Sequence, residues 1–405
     1  MIDLPFPTRA QEFRRDWRTV IAAAVGVGAG VTGLPFYTLG LLVRPLSVEF
    51  GWSRAAVSGA ALCLQGGIVL SAPLVGRLID HSGLRRVALL SLLGLAAAFA
   101  LLPLLSSSIL LFYAAWLALS LVGGGSTPVV WTRAVAARFS AGRGLALGMT
   151  LLGTGIAGIV APALFGPIIA RHGWRAGCLA VAATIVVIAM PVVFAMLREV
   201  RPIEATNQAG AETGMALGEA IRTRRFAQLG LAFLLLGGTI AGLIVHLVPI
   251  LTDRGMDALA AARAAALLGF AVIAGRLVVG WLVDRFHAPY VGMTFLLLPV
   301  ASCLVLLNHG AAGLAIVLLG LAAGAEIDLL AYFVSRYFGM RAYGEIYGWL
   351  LSIFSLGAGI GPVLAGASFD RTGSYDVMLT GACGAIAIGA LLVGTLGRFP
   401  AGQPR

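Results

Sequence analysis

The chain has 405 residues, of which 60% are hydrophobic and 11% are charged, whereas soluble domains carry about 25% charged residues. This composition excludes an ordinary globular protein and predicts a polytopic membrane protein, because twelve spans of ~20 residues would use nearly the whole chain. All 28 basic residues are arginine, which excludes a Schiff-base lysine and the lysine of a phosphate-binding loop. The four cysteines lie far apart, without the spacing of a metal site, so we expect neither a metal nor a cofactor.

Twelve apolar runs follow one another along the chain. They fall near residues 18–47, 54–76, 87–106, 109–135, 143–169, 174–197, 226–251, 259–283, 289–307, 311–334, 345–368 and 375–397. If the N-terminus is cytoplasmic, twenty arginines lie on the inner side, seven on the outer side, and Arg276 lies within a span. This asymmetry follows the positive-inside rule and predicts twelve spans with both termini in the cytoplasm. We expect the membrane to be a bacterial-type inner membrane. It also explains the net charge of +11 without nucleic-acid binding.

A polar stretch divides the spans into two sets of six. We predict a cytoplasmic tail at 1–17, a six-helix bundle at 18–197, a cytoplasmic linker at 198–225, a second six-helix bundle at 226–397 and a tail at 398–405. Pro162, Gly166, Arg171 and Gly173 recur 200 residues later as Pro362, Gly366, Arg371 and Gly373. Two homologous halves place a binding site near the middle of the membrane and make one chain sufficient for transport, so we expect a monomer.

Three ionisable side chains lie deep within apolar runs: Arg276, Glu326 and Asp328. Ionised groups at bilayer depth cost several kcal/mol, so they usually face a partner or a watery cavity along a transport path. Apolar surroundings favour a protonated carboxyl group, which makes both acids candidate proton carriers, Glu326 first. Because Glu326 and Asp328 are about 200° apart around a helix, we expect one of them to face the cavity. The alternative is a fixed ion pair with Arg276.

Other candidates for the transport path are neutral or aromatic. Phe36, Tyr37, Gln65 and Trp131 in the first half are predicted substrate contacts, and plain helix packing is the alternative for each. His246 is a candidate for a proton path, although a lone histidine is more often a packing residue. The glycine-rich segments 28–33 and 123–127 match nucleotide-binding patterns in letters only, and we interpret both as helix packing within the membrane.

The loop after the second apolar run carries a longer motif. Gly76–Arg86 resembles the signature loop of the major facilitator superfamily, and Gly280-x-x-x-Asp284-Arg285 repeats part of it. An ordinary charged loop is the alternative. The resemblance implies that a set of charged residues closes the inner side when the two halves meet. These candidate gating residues are Asp80, Arg85, Arg86, Asp284 and Arg285.

Several segments resemble one branch of that superfamily, which contains monocarboxylate transporters and oxalate/formate antiporters. They are Leu34–Tyr37, Glu49–Arg54, Arg138–Phe139, Arg143–Gly148, Gly173–Arg175 and Asp370–Tyr375. The resemblance implies a substrate-binding arginine in span eight, which corresponds to Arg276. The acid that this branch has one turn earlier is Val272 here, and its first-span lysine is Phe36. The resemblance therefore does not transfer the branch's proton-coupling pair, and Glu326 and Asp328 are the predicted substitutes.

Together these features predict an all-α membrane transporter with twelve helices in two pseudo-symmetric bundles, and not an enzyme. We expect proton-coupled uptake of a small organic anion, such as a monocarboxylate, by alternating access. Proton/drug antiport and uptake of a siderophore-type chelate remain alternatives. A membrane sensor that does not transport is a third alternative, which the short loops disfavour.

Overall fold

The computed structural model describes residues 9–104, 108–136, 138–139, 143–197, 214–283, 285–339 and 341–399. Within this part of the chain the secondary structure is helical, apart from an isolated bridge between Gly214 and Gly339. The α-helices are α1 (Arg9–Ala29), α2 (Leu34–Phe50), α3 (Arg54–Ser82), α4 (Leu84–Leu101), α5 (Ile109–Val122), α6 (Pro128–Ala136), α7 (Arg143–Val160), α8 (Gly166–Thr184), α9 (Met190–Met196), α10 (Leu217–Ala220), α11 (Arg224–Asp253), α12 (Ala258–Ala265), α13 (Leu267–Val283), α14 (Ala288–Leu307), α15 (Ala312–Phe338), α16 (Tyr343–Thr372) and α17 (Asp376–Gly394).

Ten stretches among the described residues are long and apolar enough to cross a bilayer. One of them, Leu145–Met196, has 52 residues, which is enough for two crossings. Gly173 interrupts it with a φ of 84°, a conformation that glycine adopts readily. The shorter α5 adds another apolar segment. The twelve predicted spans are all accounted for in this way, and the prediction of an all-helical membrane protein is confirmed.

The helices group into two compact units. The first comprises Met1–Thr38 with Gly67–Thr206, and the second comprises Leu39–Gly66 with Asn207–Arg405. The second unit therefore includes the end of α2 and the start of α3. Of the predicted linker and tails, residues 198–213, 1–8 and 400–405 lie outside the described part of the chain.

Two helix interruptions meet inside the first unit. α1 and α2 are separated at residues 30–33, and α5 and α6 are separated by a 3-10 turn, Gly124–Ser126. The amide of Val31 donates to the Ser126 hydroxyl across 3.2 Å. A Cβ atom on Gly30 would lie 2.2 Å from the Ser126 carbonyl oxygen, so only glycine fits there. The glycine-rich segments 28–33 and 123–127 do pack closely, but as paired interruptions rather than as continuous helices.

Glycine also sets the helix contacts of the second unit. A Cβ atom on Gly361 of α16 would lie 1.8 Å from the carbonyl oxygen of Gly238 in α11. On α15, a Cβ atom on Gly324 would lie 2.1 Å from the Val272 carbonyl oxygen of α13. Small residues allow such close backbone approach between membrane helices. The contact between α13 and α15 positions the charged residues Arg276 and Asp328.

Candidate functional site

The close contact of α13 and α15 brings two of the predicted ionisable residues together. The Nε atom of Arg276 lies 3.3 Å from Oδ2 of Asp328, which forms an ion pair between the two helices. Arg276 is 8% exposed, and the Asp328 side chain is 27% exposed. Glu326 is buried at 7% exposure. The two carboxylates therefore occupy different environments, as their angular separation on the helix requires.

The charges at this site are only partly matched. Nε of Arg276 makes no hydrogen bond despite its ion pair with Asp328, and neither Nη1 of Arg276 nor Oε2 of Glu326 has a hydrogen-bond partner among the described residues. Burying a polar atom without a hydrogen-bond partner costs free energy, and such atoms are uncommon in the interiors of folded proteins. A guanidinium group presents five donors in a fork that fits a carboxylate with two parallel bonds. The site therefore has spare donors of the kind that bind an organic anion.

The predicted contacts of the first half differ in exposure. Phe36 and Tyr37, at the start of α2, are half-buried, and their ring centroids are 5.6 Å apart. Gln65 on α3 is also half-buried. Trp131 is fully buried, and its indole N–H donates to the Ser126 carbonyl oxygen across 3.0 Å. Helix packing therefore explains the position of Trp131 in this conformation, whereas the side chains of Phe36, Tyr37 and Gln65 are partly exposed.

His246 is buried in α11, and both of its ring nitrogens have partners. Nδ1 lies 2.7 Å from the Tyr375 hydroxyl. Nε2 lies 2.9 Å from the Ser58 hydroxyl and 2.9 Å from the Pro362 carbonyl oxygen. The structure does not bring it into the contacts of Arg276 and Asp328 but places it in a separate polar cluster.

Arg54, at the start of α3, is the centre of that cluster. Its guanidinium group donates to both carboxylate oxygens of Asp253, at 2.5 and 3.0 Å, and to the Tyr375 hydroxyl at 2.9 Å. The guanidinium carbon lies 3.7 Å from the centroid of the Phe369 ring. In the sequence, Arg54 and Tyr375 stand out only as parts of family-like segments, because nothing there indicates that the two segments meet.

Asp370 completes the cluster from α16. Its two carboxylate oxygens accept the backbone amides of Arg54 and Ala55 at 2.9 Å each, so that it caps the first turn of α3. A Cβ atom on Gly366 would lie 2.5 Å from the Ala55 nitrogen, which shows how closely α3 and α16 approach. A carboxylate at a helix N-terminus is stabilised by the unpaired amides and by the helix dipole.

A family model described as Major Facilitator Superfamily matches residues 25–362. The chain belongs to the major facilitator superfamily. It is 28% identical over 382 residues to human monocarboxylate transporter 11, covering 89% of this chain and 78% of that protein. It is 26% identical to bovine monocarboxylate transporter 13, covering 70% and 68%. Through these relatives the chain resembles the branch of the superfamily that contains the monocarboxylate transporters.

Solved structures support the same superfamily fold. A nucleoside transporter covers 94% of this chain and 99% of its own, with a TM-score of 0.74 and 13% identity. A human organic anion transporter covers 93% and 99%, with a TM-score of 0.64 and 19% identity. At these identities the likeness concerns the fold alone. Together with the family match, it confirms the predicted major facilitator fold and a transport protein rather than an enzyme.

The signature-loop residues of the superfamily are only partly described. Asp284 and the side chain of Asp80 lie outside the described part of the chain. Arg85 donates to the Phe194 carbonyl oxygen across 2.5 Å, within the first unit. Arg285 is exposed and donates to the Trp281 carbonyl oxygen across 3.2 Å. Arg86 is exposed. Their predicted gating role stays a prediction.

Proposed function

We propose that this protein is a proton-coupled secondary transporter that takes up a small organic anion, of the monocarboxylate class, by alternating access. The observation that carries the proposal is the buried Arg276, which pairs with Asp328 through Nε alone and whose Nη1 has no hydrogen-bond partner among the described residues. The names of its relatives, monocarboxylate transporters 11 and 13, support the choice of substrate class. Because Val272 and Phe36 replace the acid and the lysine of the resembling branch, we assign proton coupling to α15.

The proposed mechanism follows from the balance of charge at Arg276. A substrate carboxylate binds the guanidinium fork and competes with Asp328 for it. A bound substrate brings a third carboxylate beside one guanidinium group at membrane depth, which is unfavourable, so substrate binding is accompanied by proton uptake on Glu326 or Asp328. After the substrate and the proton leave on the opposite side, Asp328 pairs with Arg276 again. In this mechanism Arg276 binds Asp328 and the substrate carboxylate in turn.

The remaining predicted residues have supporting roles in this proposal. Phe36, Tyr37, Gln65 and Trp131 are proposed contacts for the uncharged body of the substrate. We further propose a monomer in a bacterial-type inner membrane with both termini in the cytoplasm. The excess of arginines in the predicted inner loops supports this orientation.

The proposal is tested by uptake of radiolabelled short monocarboxylates into proteoliposomes with an imposed pH gradient. Arg276→Ala is expected to abolish uptake, and Arg276→Lys to reduce it more than about tenfold, because an ammonium group lacks the two-donor fork. Glu326→Gln is expected to leave binding intact but to remove the dependence of uptake on pH. Arg263→Ala, an exposed position on α12, is the control. Retained, pH-driven accumulation in both Arg276→Ala and Glu326→Gln would overturn the mechanism.

Proton/drug antiport remains the second candidate, because two carboxylates stand against one arginine at this site and Oε2 of Glu326 has no partner among the described residues. Such a site attracts amphiphilic cations when both acids are ionised. Thermal unfolding of the purified protein with carboxylates, amphiphilic cations or metal chelates separates these functions. Stabilisation by carboxylates alone supports uptake of an anion, and its loss in Arg276→Ala assigns the effect to the proposed site.

A further inference from the structure

The cluster around Arg54 and His246 is not used in the proposed substrate site, yet its contacts are more complete. It joins the first turns of α3 to α11, α16 and the segment before α17, all within the second unit. We refer to its members Arg54, Ser58, His246, Asp253, Asp370 and Tyr375 as the outer cluster, since they lie near the ends of spans that are predicted to face outside. Its hydrogen bonds can be assigned a direction, and that direction fixes the state of His246.

The direction follows from which groups can only donate or only accept. The Pro362 carbonyl oxygen can only accept, so Nε2 of His246 must carry a hydrogen. Arg54 can only donate, so its bond to Tyr375 uses the phenol oxygen as acceptor and leaves the hydroxyl hydrogen for His246. Burial raises the pKa of the Tyr375 hydroxyl, against the opposing effect of Arg54, so Tyr375 keeps its hydrogen at neutral pH. Nδ1 of His246 therefore accepts, and the imidazole is neutral.

The charged groups near His246 are bound to other partners. Arg54 approaches from α3, Asp253 from its own helix α11, and Asp370 from α16. Asp253 is bound by the Arg54 guanidinium group, and Asp370 by the two amides that begin α3. Neither carboxylate makes a direct bond to the imidazole that would stabilise its positive form. A proton on Nδ1 would also oppose the hydroxyl hydrogen of Tyr375.

We propose that Arg54 and Tyr375 are positioning residues that hold His246 as a neutral acceptor, and that proton uptake by His246 releases the start of α3 from α11 and α16. Residues 54–58 carry the contacts that would be lost, including the Ser58 hydroxyl beside Nε2. This inference rests on the proposed alternating-access function for its role in the cycle: a proton from the outer side would favour opening of that side. The molecular claim, a contact that depends on the protonation of His246, can be tested without any substrate.

Hydrogen–deuterium exchange of the full-length protein in lipid nanodiscs, measured by mass spectrometry, tests the release directly. The amides of Arg54 and Ala55 are bonded to Asp370, so peptides covering residues 54–60 report the contact. Between about pH 8 and about pH 4, an interval that reaches below the ordinary titration range of histidine because this imidazole is buried and held neutral, we expect their exchange, corrected for the intrinsic pH effect, to rise about tenfold. His246→Gln, whose amide still donates and accepts but takes up no proton, is expected to abolish this rise.

Variants of the positioning residues complete the test. Tyr375→Phe removes the donor to Nδ1 and is expected to raise exchange at 54–60 and to move its pH dependence to higher pH. Arg54→Gln is expected to raise exchange at every pH. Arg254→Gln is the matched control, because Arg254 pairs at 3.6 Å with Asp376, outside the outer cluster. It should leave these peptides unchanged.

Two results would overturn the inference. One is wild-type exchange at 54–60 that shows no rise beyond the intrinsic effect on acidification, and the other is a rise that persists in His246→Gln. If Arg54→Gln fails to fold, Tyr375→Phe and His246→Gln decide the matter alone. Since no substrate is present, loss of carboxylate uptake in Arg276→Ala with flat exchange would support the proposed function and reject only the outer cluster's role.

Discussion

At the scale of single residues, one guanidinium group at position 276 stands beside two acidic side chains with unequal surroundings. Asp328 is partly exposed and paired, whereas Glu326 is buried and its Oε2 has no partner among the described residues. Ionised groups this deep are retained where they serve transport, because each costs several kcal/mol. The paired and the unpaired acid can therefore be separated by substitution, and the two variants should have different effects.

Asp328→Asn is expected to strengthen substrate binding and to slow turnover. The substitution removes the internal competitor for Arg276, so the apparent KM should fall about tenfold, which corresponds to about 1.4 kcal/mol. The same substitution removes the group that displaces the substrate, so kcat should fall as well. Concentration-dependent uptake in proteoliposomes measures both quantities. Asp376→Asn, at an exposed acid, should change neither, and weaker binding in Asp328→Asn would show that Asp328 supports the site instead of competing.

At the scale of helices, close packing rather than polarity determines where the charged residues meet. Gly275 and Gly324 lie where a Cβ atom would come within 2.2 Å and 2.1 Å of the facing backbone, which brings α13 against α15 beside Arg276. The same kind of contact joins α11 to α16 through Gly361. Hydrogen bonds across membrane helices contribute only about 0.6 kcal/mol on average, so the fit of the backbones is the larger constraint.

Gly361→Ala is expected to destabilise the protein, because its Cβ atom would lie 1.8 Å from the Gly238 carbonyl oxygen and force α11 and α16 apart. Overpacking of this kind costs about 1–3 kcal/mol. Thermal unfolding in nanodiscs, followed by intrinsic fluorescence, measures the loss. Gly384→Ala on α17 is the control, since a Cβ atom there meets nothing within 4 Å. An unfolding temperature for Gly361→Ala equal to that of the control would contradict the role assigned to this contact.

The helices and the deep charges could be predicted from the sequence, but most of their partners could not. Hydropathy alone located Arg276, Glu326 and Asp328, because a charge within an apolar run is conspicuous. Arg54 and Asp370 are 316 positions apart and lie near span ends, where charged residues are common. Their pairing depends on which helices meet, and the local sequence does not indicate which helices these are. The helix interruption at residues 30–33 was missed for a related reason, since glycine is frequent throughout membrane helices.

At the scale of the whole molecule, the two sequence halves share a register of Pro, Gly and Arg but not the acidic residues at membrane depth. Glu326 and Asp328 correspond, 200 positions earlier, to Ser126 and Pro128. Ser126 instead lies in a helix interruption, where its hydroxyl accepts the Val31 amide. We therefore expect charge handling in the second half and contacts with an uncharged substrate body in the first. Such a division suits a substrate with a single anionic group.

The orientation of the protein in the membrane determines which side is opened by each proposed proton uptake. Twenty arginines in one set of predicted loops against seven in the other predict that residues 254–257 lie outside and the C-terminus inside. We expect alkaline phosphatase to be active when fused after residue 256, and green fluorescent protein to be fluorescent when fused at the C-terminus, in a bacterial host. Phosphatase activity of a fusion at the C-terminus would show that the topology is the reverse of the predicted one. Arg54 and His246 would then lie towards the cytoplasm, and proton uptake at His246 would favour opening to the inside, which suits export rather than uptake.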